Sequence, residues 1–229
     1  MAISSGHSRT TTSRKRLSPG GAVAQSGKAH VVLAGARAVF LANGFSAATT
    51  DMIQQTAGVS KSTVYSYYPN KEALFVAVVE AECELYLKTV REYKFPERRL
   101  IDVLNAIAHA YLEIVLSHDG IALYRAIVSE AARFPELGRR FYLAGPGAMN
   151  NAIAETLEAA EARGEVDLGS VGRDSAASLL VNMVRGEAQM QSLTHPESPA
   201  SAAQRDRWVK DAVTTFIRAF QKNASSGRR

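Results

Sequence analysis

Apolar positions recur with the period of an α-helix along almost the whole chain, and none alternate with the period of a strand. Between residues 28 and 41, for example, Val32, Ala36, Val39 and Phe40 are spaced so that they share one face of a helix. The spacing therefore predicts an all-α protein. Further helices are predicted near 71–93, 97–117, 120–132, 136–163, 172–193 and 203–222.

Glycine and proline mark the ends of these helices. Asn43-Gly44 gives a C-terminal stop after the first one. Gly145-Pro146-Gly147 interrupts or kinks the helix predicted over 136–163, because proline removes a backbone donor. Other breaks fall at Asp119-Gly120, Phe134-Pro135, Arg163-Gly164 and 196–199.

Two short helices joined by a glycine turn are predicted over residues 49–68. Thr49 or Thr50 is suited to cap the first helix, and Ser60 to cap the second. Gly58 between them can adopt the left-handed backbone that a sharp turn requires. This arrangement is typical of a helix-turn-helix, whose second helix enters the major groove of DNA.

The residue types on the two sides of this motif differ. Ile53, Ala57, Val59 and Val64 are small or apolar, as needed where the two helices touch. The other side of the second helix carries donors and acceptors and no acid, and its flanks add groups that could hold phosphates. The predicted DNA-binding residues are Thr49, Thr50, Lys61, Ser62, Thr63, Tyr65, Ser66, Tyr67 and Lys71.

Charge is concentrated in the N-terminal third of the 229 residues. Residues 1–71 hold eight basic side chains and one acid, a net charge of +7, whereas the remaining 158 residues have a net charge of −2. This asymmetry is expected of a nucleic-acid reader joined to a charge-balanced body. A solvated basic tail on an unrelated domain is the alternative. Residues 1–26 are predicted to form a disordered basic arm because they contain few apolar side chains.

Other functional classes find little support in the sequence. Cys83 is the only cysteine, so neither an intramolecular disulfide nor a cysteine-based zinc site is possible, and a reducing compartment fits. His109 and Glu113 have the spacing of a metal pair but no further ligand nearby. We expect no catalytic residues, no metal and no cofactor. Binding to a membrane surface is disfavoured, because the basic arm has no amphipathic helix.

The motifs of residues 28–80 resemble the DNA-binding domain of the TetR/AcrR transcriptional regulators. The matching residues are Phe40, Asn43-Gly44-Phe45, Thr49-Thr50, Ile53, Ala57-Gly58-Val59-Ser60, Thr63-Val64-Tyr65, Tyr67-Tyr68-Pro69-Asn70-Lys71 and Leu74-Phe75. The resemblance implies a recognition helix at about 60–66. It also implies a DNA-binding domain over 27–86 and an all-helical ligand-binding and dimerisation domain over 87–224. Residues 124–166 resemble the AefR-like type of C-terminal domain.

The resemblance also implies a homodimer formed through the last two long helices, although their apolar faces could instead be buried within their own domain. The residues predicted at the seam are Leu180, Met183, Val184, Val209, Val213, Phe216 and Phe220. An effector pocket is expected among aromatic residues and a methionine, for each of which core packing is the alternative. The predicted pocket residues are Tyr86, Tyr111, Tyr124, Phe141 and Met149.

Together these features predict a cytoplasmic, ligand-responsive repressor. It would bind an inverted-repeat operator in double-stranded DNA as a dimer and be released by a small hydrophobic effector. Transcriptional activation, control by a protein partner, and an unrecognised enzyme are the alternatives. The sequence specifies neither the operator, the controlled genes nor the effector.

Overall fold

Helices account for nearly all of residues 19–92 and 99–222, which are the residues that this computed structural model describes. Within those ranges there is no strand, and the only β-type pairing is an isolated bridge between Val166 and Gln221. The predicted all-α class is therefore confirmed. The helices are α1 (Pro19–Ala47), α2 (Thr50–Ala57), α3 (Lys61–Tyr67), α4 (Lys71–Glu92), α5 (Leu100–Val115), α6 (His118–Glu130), α7 (Pro135–Tyr142), a π-helical segment (Leu143–Gly147), α8 (Ala148–Ala162), α9 (Arg173–Thr194) and α10 (Ala202–Phe220).

The first helix begins earlier than predicted. It starts at Pro19, inside the segment 1–26 that was expected to be disordered, while residues 1–18 lie outside the described residues. The predicted stop at Asn43-Gly44 is present as a break in the helix, since Gly44 has φ of 71° and ψ of 176°. The interruption predicted at Gly145-Pro146-Gly147 is the π-helical segment. Its wider turn accommodates a proline that cannot donate a backbone hydrogen bond.

A first hydrophobic core, here called the N-terminal core, joins the helix-turn-helix to helices from the rest of the chain. Phe40, Phe45 and Phe75 form its centre, with ring centroids 4.7 to 6.1 Å apart. Buried side chains of α6 and α7, including Ile127 and Leu137, belong to the same core. Packing therefore joins elements of the two predicted domains, 27–86 and 87–224, in one core.

A second core lies between α5, α8, α9 and α10. It buries large side chains from each of them, such as Leu104, Leu157, Leu180 and Phe216. It therefore buries a large part of the apolar faces of the last two helices.

Five of the seven residues predicted at the dimer seam are buried in the core of their own domain. Side chains with almost no accessible surface in a single chain have none left to bury against a second chain, and Phe216, for instance, is 1% exposed. Met183 is 40% exposed and Phe220 is half-buried. The residues that pack inside their own domain are Leu180, Val184, Val209, Val213 and Phe216.

One part of α1, Gly27–Ala47, is long and apolar enough to cross a membrane when judged by length and composition alone. In the structure its Val32, Ala36 and Phe40 side chains are buried in the N-terminal core. Packing within the domain thus accounts for the apolar character of this helix.

Close contact between α1 and α2 depends on a glycine. A Cβ atom added at Gly35 would lie 2.7 Å from the Cβ of Ala57 and 2.9 Å from its backbone. No side chain fits there unless α2 moves away from α1, and α2 carries the turn into α3.

We expect Gly35→Ala to lower the free energy of unfolding by about 1–3 kcal/mol, because the added methyl group overpacks the contact with Ala57. Urea denaturation followed by circular dichroism measures this. Gly27→Ala on the same helix is the matched control, since nothing lies within 4 Å of its added Cβ. The control should be neutral or slightly stabilising. Equal stability of the two variants would contradict the close-contact interpretation.

Candidate functional site

The turn between α2 and α3 is fixed by caps and by one left-handed residue. The Thr49 Oγ1 accepts a hydrogen bond of 3.2 Å from the backbone N–H of Met52, which caps α2. Gly58 ends α2 with φ of 63° and ψ of 34°. The Ser60 Oγ accepts a 3.2 Å bond from the N–H of Thr63 and caps α3. These contacts set the angle at which α3 leaves α2.

Helix α3 presents one apolar side to the N-terminal core and one polar side to solvent. Val64 is buried against the core that contains Ile53. Thr63 is half-buried, and its hydroxyl lies 2.8 Å from the Ser60 Oγ. The exposed predicted DNA-binding residues of this helix are Lys61, Ser62, Tyr65 and Ser66.

An acid lies beside this surface, which the sequence of α3 alone did not reveal. The Asp51 Oδ1 is 2.9 Å from the Lys61 Nζ, and both side chains are exposed. The hydrogen bond to Asp51 raises the pKa of Lys61. Next to this pair, the hydroxyls of Thr50 and Tyr65 are 3.4 Å apart. The N-terminal turn of α2 and the outer face of α3 thus form one continuous polar surface.

Lys71 is placed differently from the prediction that it clamps a phosphate. Its Nζ donates to the carbonyl oxygens of Phe45 at 3.0 Å and Ala48 at 3.1 Å, with Ser46 O at 3.5 Å. The ammonium also lies 4.4 Å from the centre of the Phe45 ring. It therefore ties the start of α4 to the segment between α1 and α2, and a phosphate contact would compete with these bonds. Tyr67, the other predicted flank residue, is half-buried against the N-terminal core.

A largely apolar cavity lies between α4, α5, α6, α7, the π-helical segment, α8 and α9. Its volume is about 80 Å³. Four of the five predicted pocket residues lie on its wall, namely Tyr111, Tyr124, Phe141 and Met149. The side chain of Tyr86 lies outside the described part of the structure. The other lining residues are Cys83, Ile114, Val115, Gly120, Leu123, Gly145, Pro146, Arg185 and Gln189.

Burial changes the titration of two groups on this wall. The pKa of the Cys83 thiol is raised to about 12, chiefly by burial and further by the charges of Glu82 and Glu80. Burial also raises the pKa of Tyr111, and Arg185 partly offsets that rise through its charge and a hydrogen bond. Both groups therefore stay protonated at neutral pH.

An ion-pair group connects α1 to two helices of the cavity wall. The Arg37 Nε and Nη2 donate to the two carboxylate oxygens of Glu82 at 2.7 and 3.0 Å, and Nη2 also donates to Asp119 at 2.7 Å. These bonds raise the pKa of Arg37, and the bond to Arg37 lowers that of Asp119. Glu82 immediately precedes Cys83, and Asp119 immediately precedes Gly120, so both carboxylates adjoin lining residues.

No cluster of three or more His, Cys, Asp or Glu side chains suited to a metal ion occurs within 19–92 and 99–222. His109, which the sequence singled out with Glu113, has its Nδ1 3.6 Å from Asp206 Oδ1.

Sequence reasoning did not identify Arg37, Asp51, Arg185 or Gln189 as functional residues. The four-residue spacing of Arg185 and Gln189 was available as a signal, because it places both on one face of a helix. That helix was instead interpreted as part of a dimer seam.

Comparison with known proteins matches both parts of the chain to families. Residues 32–78 match the model "Bacterial regulatory proteins, tetR family". Residues 102–222 match the model "AefR-like transcriptional repressor, C-terminal domain".

Three relatives show how far the similarity extends. The chain is 30% identical to the HTH-type transcriptional regulator RutR of Escherichia coli over 92 residues, which is 40% of each protein. A solved TetR-family regulator from Mesorhizobium loti superposes with a TM-score of 0.78 at 24% identity, covering 86% of this chain and 98% of that one. The flavonoid-responsive regulator FrrA gives a TM-score of 0.71 at 32% identity over 87% of this chain and 100% of its own.

Burial of Cys83 predicts slow alkylation of the native protein. At pH 8 a thiol with an ordinary pKa near 9 is about one-tenth ionised, whereas one with a pKa of about 12 is ionised to about one part in 10,000. We therefore expect iodoacetamide to modify Cys83 about a thousandfold more slowly in the native protein than in urea, as measured by mass spectrometry.

The matched control is Ser175→Cys in a Cys83→Ala background, because Ser175 is exposed. Its native and unfolded rates should agree within about threefold. If native Cys83 reacts as fast as this surface cysteine, the cavity wall is open at that position.

Proposed function

Because this chain belongs to the TetR family of DNA-binding transcriptional regulators and has an AefR-like C-terminal domain, we propose that it is a ligand-responsive repressor. It binds an inverted-repeat operator as a dimer in the cytoplasm, and a small hydrophobic effector releases it. The observation that carries the proposal is the connection of the cavity to α1 through Arg37, because it links an effector site to the helix that supports the recognition motif.

DNA is bound through the outer face of α3 and the first turn of α2. A B-DNA major groove admits one helix, and Lys61, Ser62 and Tyr65 lie on the exposed side that would face base edges. Lys61 must exchange its contact with Asp51 for DNA, or keep it and present a carboxylate acceptor to the groove. Phosphate contacts would make the affinity depend steeply on salt.

The dimer interface includes the outward side of α9. Leu179, Met183, Gly186 and Met190 are spaced along one stripe of this helix, and Leu179 and Met190 are 47% and 60% exposed. Leu180 and Val184, on another side of α9, are buried in the domain's own core. A second copy of the chain covers the stripe, in keeping with the dimers that regulators of this family form.

Release begins with a movement of the cavity wall. An effector between α4 and α6 displaces the segments that begin at Cys83 and Gly120, and with them Glu82 and Asp119. Arg37 follows the two carboxylates and moves α1, while Lys71 transmits the shift of α4 to the segment before α2. The spacing of the two α3 helices in the dimer then no longer fits the operator. An effector shifts this equilibrium only by its difference in affinity for the two states.

Aromatic compounds are the first effectors to test. FrrA, 32% identical over most of this chain, is a flavonoid-responsive regulator. The wall of the present cavity contains Tyr111, Tyr124 and Phe141, which suit a flat ring system.

Lys61→Ala and Tyr65→Ala should each weaken operator binding by about 1–3 kcal/mol and reduce the preference over scrambled DNA, because base contacts carry sequence specificity. Fluorescence anisotropy on the DNA upstream of the gene, followed across a salt series, measures this. Lys210→Ala on α10 is the control and should bind like the parent protein, since Lys210 is an exposed lysine outside α2 and α3. Unchanged affinity in both α3 variants, with the fold intact, would assign recognition to another surface.

Met183→Glu should convert the dimer into a folded monomer, because it places a charge in the proposed interface and leaves the domain's own core intact. Sedimentation velocity gives the mass of the particle. Val128→Glu, at another exposed apolar residue, should stay dimeric. Phe216→Glu should instead unfold the C-terminal domain. A dimeric Met183→Glu protein would place the interface elsewhere.

Arg37→Met should leave effector affinity within about threefold of that of the parent protein. It should abolish most of the loss of operator affinity that the effector causes, which in allosteric proteins is typically a factor of about 5–150. Calorimetry measures the first quantity and anisotropy the second. Arg37→Lys should retain part of the response, since an ammonium cannot reproduce the forked contact with Glu82.

Arg140→Met is the control for Arg37→Met. Arg140 Nη1 contacts Glu80 of α4 at 3.2 Å but reaches no residue of α1 among the contacts described. Its response to the effector should be that of the parent protein. A folded Arg37→Met protein with an unchanged response would exclude this route of coupling.

A further inference from the structure

The polar groups of the cavity are concentrated on α9 and the facing side of α5. Arg185 and Gln189 lie four residues apart on the inward side of α9, and Tyr111 faces them from α5. Most of the remaining wall is apolar, with Ile114, Leu123 and Met149 among its residues. The cavity therefore has a polar end and apolar walls, and it suits a ligand with one polar group on a hydrophobic body.

Gln189 is a largely buried polar side chain on the wall of the cavity. It is 8% exposed, and none of the described residues forms a hydrogen bond with its carboxamide. Buried amides in folded proteins are nearly always hydrogen-bonded, because desolvation without compensation is costly. Since Gln189 lines the cavity, a group that enters the cavity is the natural partner for it.

Arg185 supplies the only formal charge on the described wall of the cavity. It forms no ion pair with a described residue, and its guanidinium donates to the neutral Asn182 Oδ1 at 3.3 Å. Arg37, Arg140 and Arg173, by contrast, all contact carboxylates at 3.2 Å or less. Arg185 also shares a hydrogen bond with Tyr111. Both of its partners, Asn182 and Tyr111, are neutral, so the guanidinium still offers its charge and further N–H donors to an anion, for which its planar fork is well suited.

We propose that the effector is an aromatic anion whose carboxylate or ionised phenol oxygen contacts Arg185. Gln189 donates a second hydrogen bond to the same end, and the rings pack between the apolar walls. A neutral amide of the same shape loses the charge-assisted bond, and an amine meets repulsion from Arg185. The inference rests on the proposed function only in taking this cavity as the effector site.

The test uses three probes of nearly the same shape: naphthalene carboxylate, naphthalene carboxamide and naphthylmethylamine, whose amine is protonated at neutral pH. Isothermal titration calorimetry of the full-length protein at neutral pH measures their affinities. We expect the carboxylate to bind about ten- to a hundredfold more tightly than the carboxamide, and the amine to bind most weakly. A pair of flavones, one with an acidic hydroxyl and one methylated at that oxygen, separates a phenolate from a carboxylate as the preferred anion.

Arg185→Met should remove the preference for the carboxylate, and Arg185→Lys should retain part of it. Gln189→Leu should weaken the anion more than the amide. Arg207→Met, which removes an exposed arginine of α10 that is absent from the cavity wall, should leave the preference intact. Binding of the carboxylate should also slow alkylation of Cys83, which places the probe in this cavity.

Three outcomes would overturn the proposal. They are equal or tighter binding of the neutral probes, the absence of binding by every anion, and a carboxylate preference that survives Arg185→Met. Failure of the proposed function is distinguishable, because calorimetry does not involve DNA. An anion that binds through Arg185 but does not release the protein from the operator would contradict only the proposed release mechanism. If only neutral compounds release the protein from the operator, the proposal of an anionic effector is contradicted and the repression mechanism is not.

Discussion

The contact on which the two parts of this protein depend is the fork of Arg37 between Glu82 and Asp119. Three charge-assisted hydrogen bonds of 2.7 to 3.0 Å join α1 to α4 and α6. Because the arginine is partly exposed, its net contribution to stability is modest. Arg37 matters because it positions helices: its planar guanidinium, through three hydrogen bonds, holds α1, α4 and α6 together next to the wall of the cavity.

The packing around this fork makes the linkage continuous. Ile127 and Leu137 enter the same core as Phe40 and Phe75, so the helices beside the cavity and the helices that support α3 share buried surface. Interiors packed this tightly transmit displacements because they have little free volume to absorb them. An effector that moves α6 by a fraction of an ångström therefore has a route to α1 through both packing and charge.

Helix α9 serves two surfaces with one sequence. Its inward side supplies Arg185 and Gln189 to the cavity, and its outward stripe, which includes Met183 and Met190, is left uncovered by its own domain. A ligand that reaches the inward side thus contacts the helix that we propose lies at the interface with a second subunit. This shared helix offers a second path from effector to dimer geometry, parallel to the one through Arg37.

Local patterns in the sequence were sufficient for the fold class, most helix limits and the helix-turn-helix. Caps such as Ser60 act over three residues, and a left-handed turn at Gly58 is a property of that residue, so both can be recognised without tertiary information. The side of α9 that faces solvent, the carbonyl contacts of Lys71 and the approach of Asp51 to Lys61 could not be predicted in this way. They arise where different helices meet, and Arg37 bonds a residue 82 positions away. Periodicity shows that a face is apolar, but only the packed structure decides whether the same chain or another one covers it.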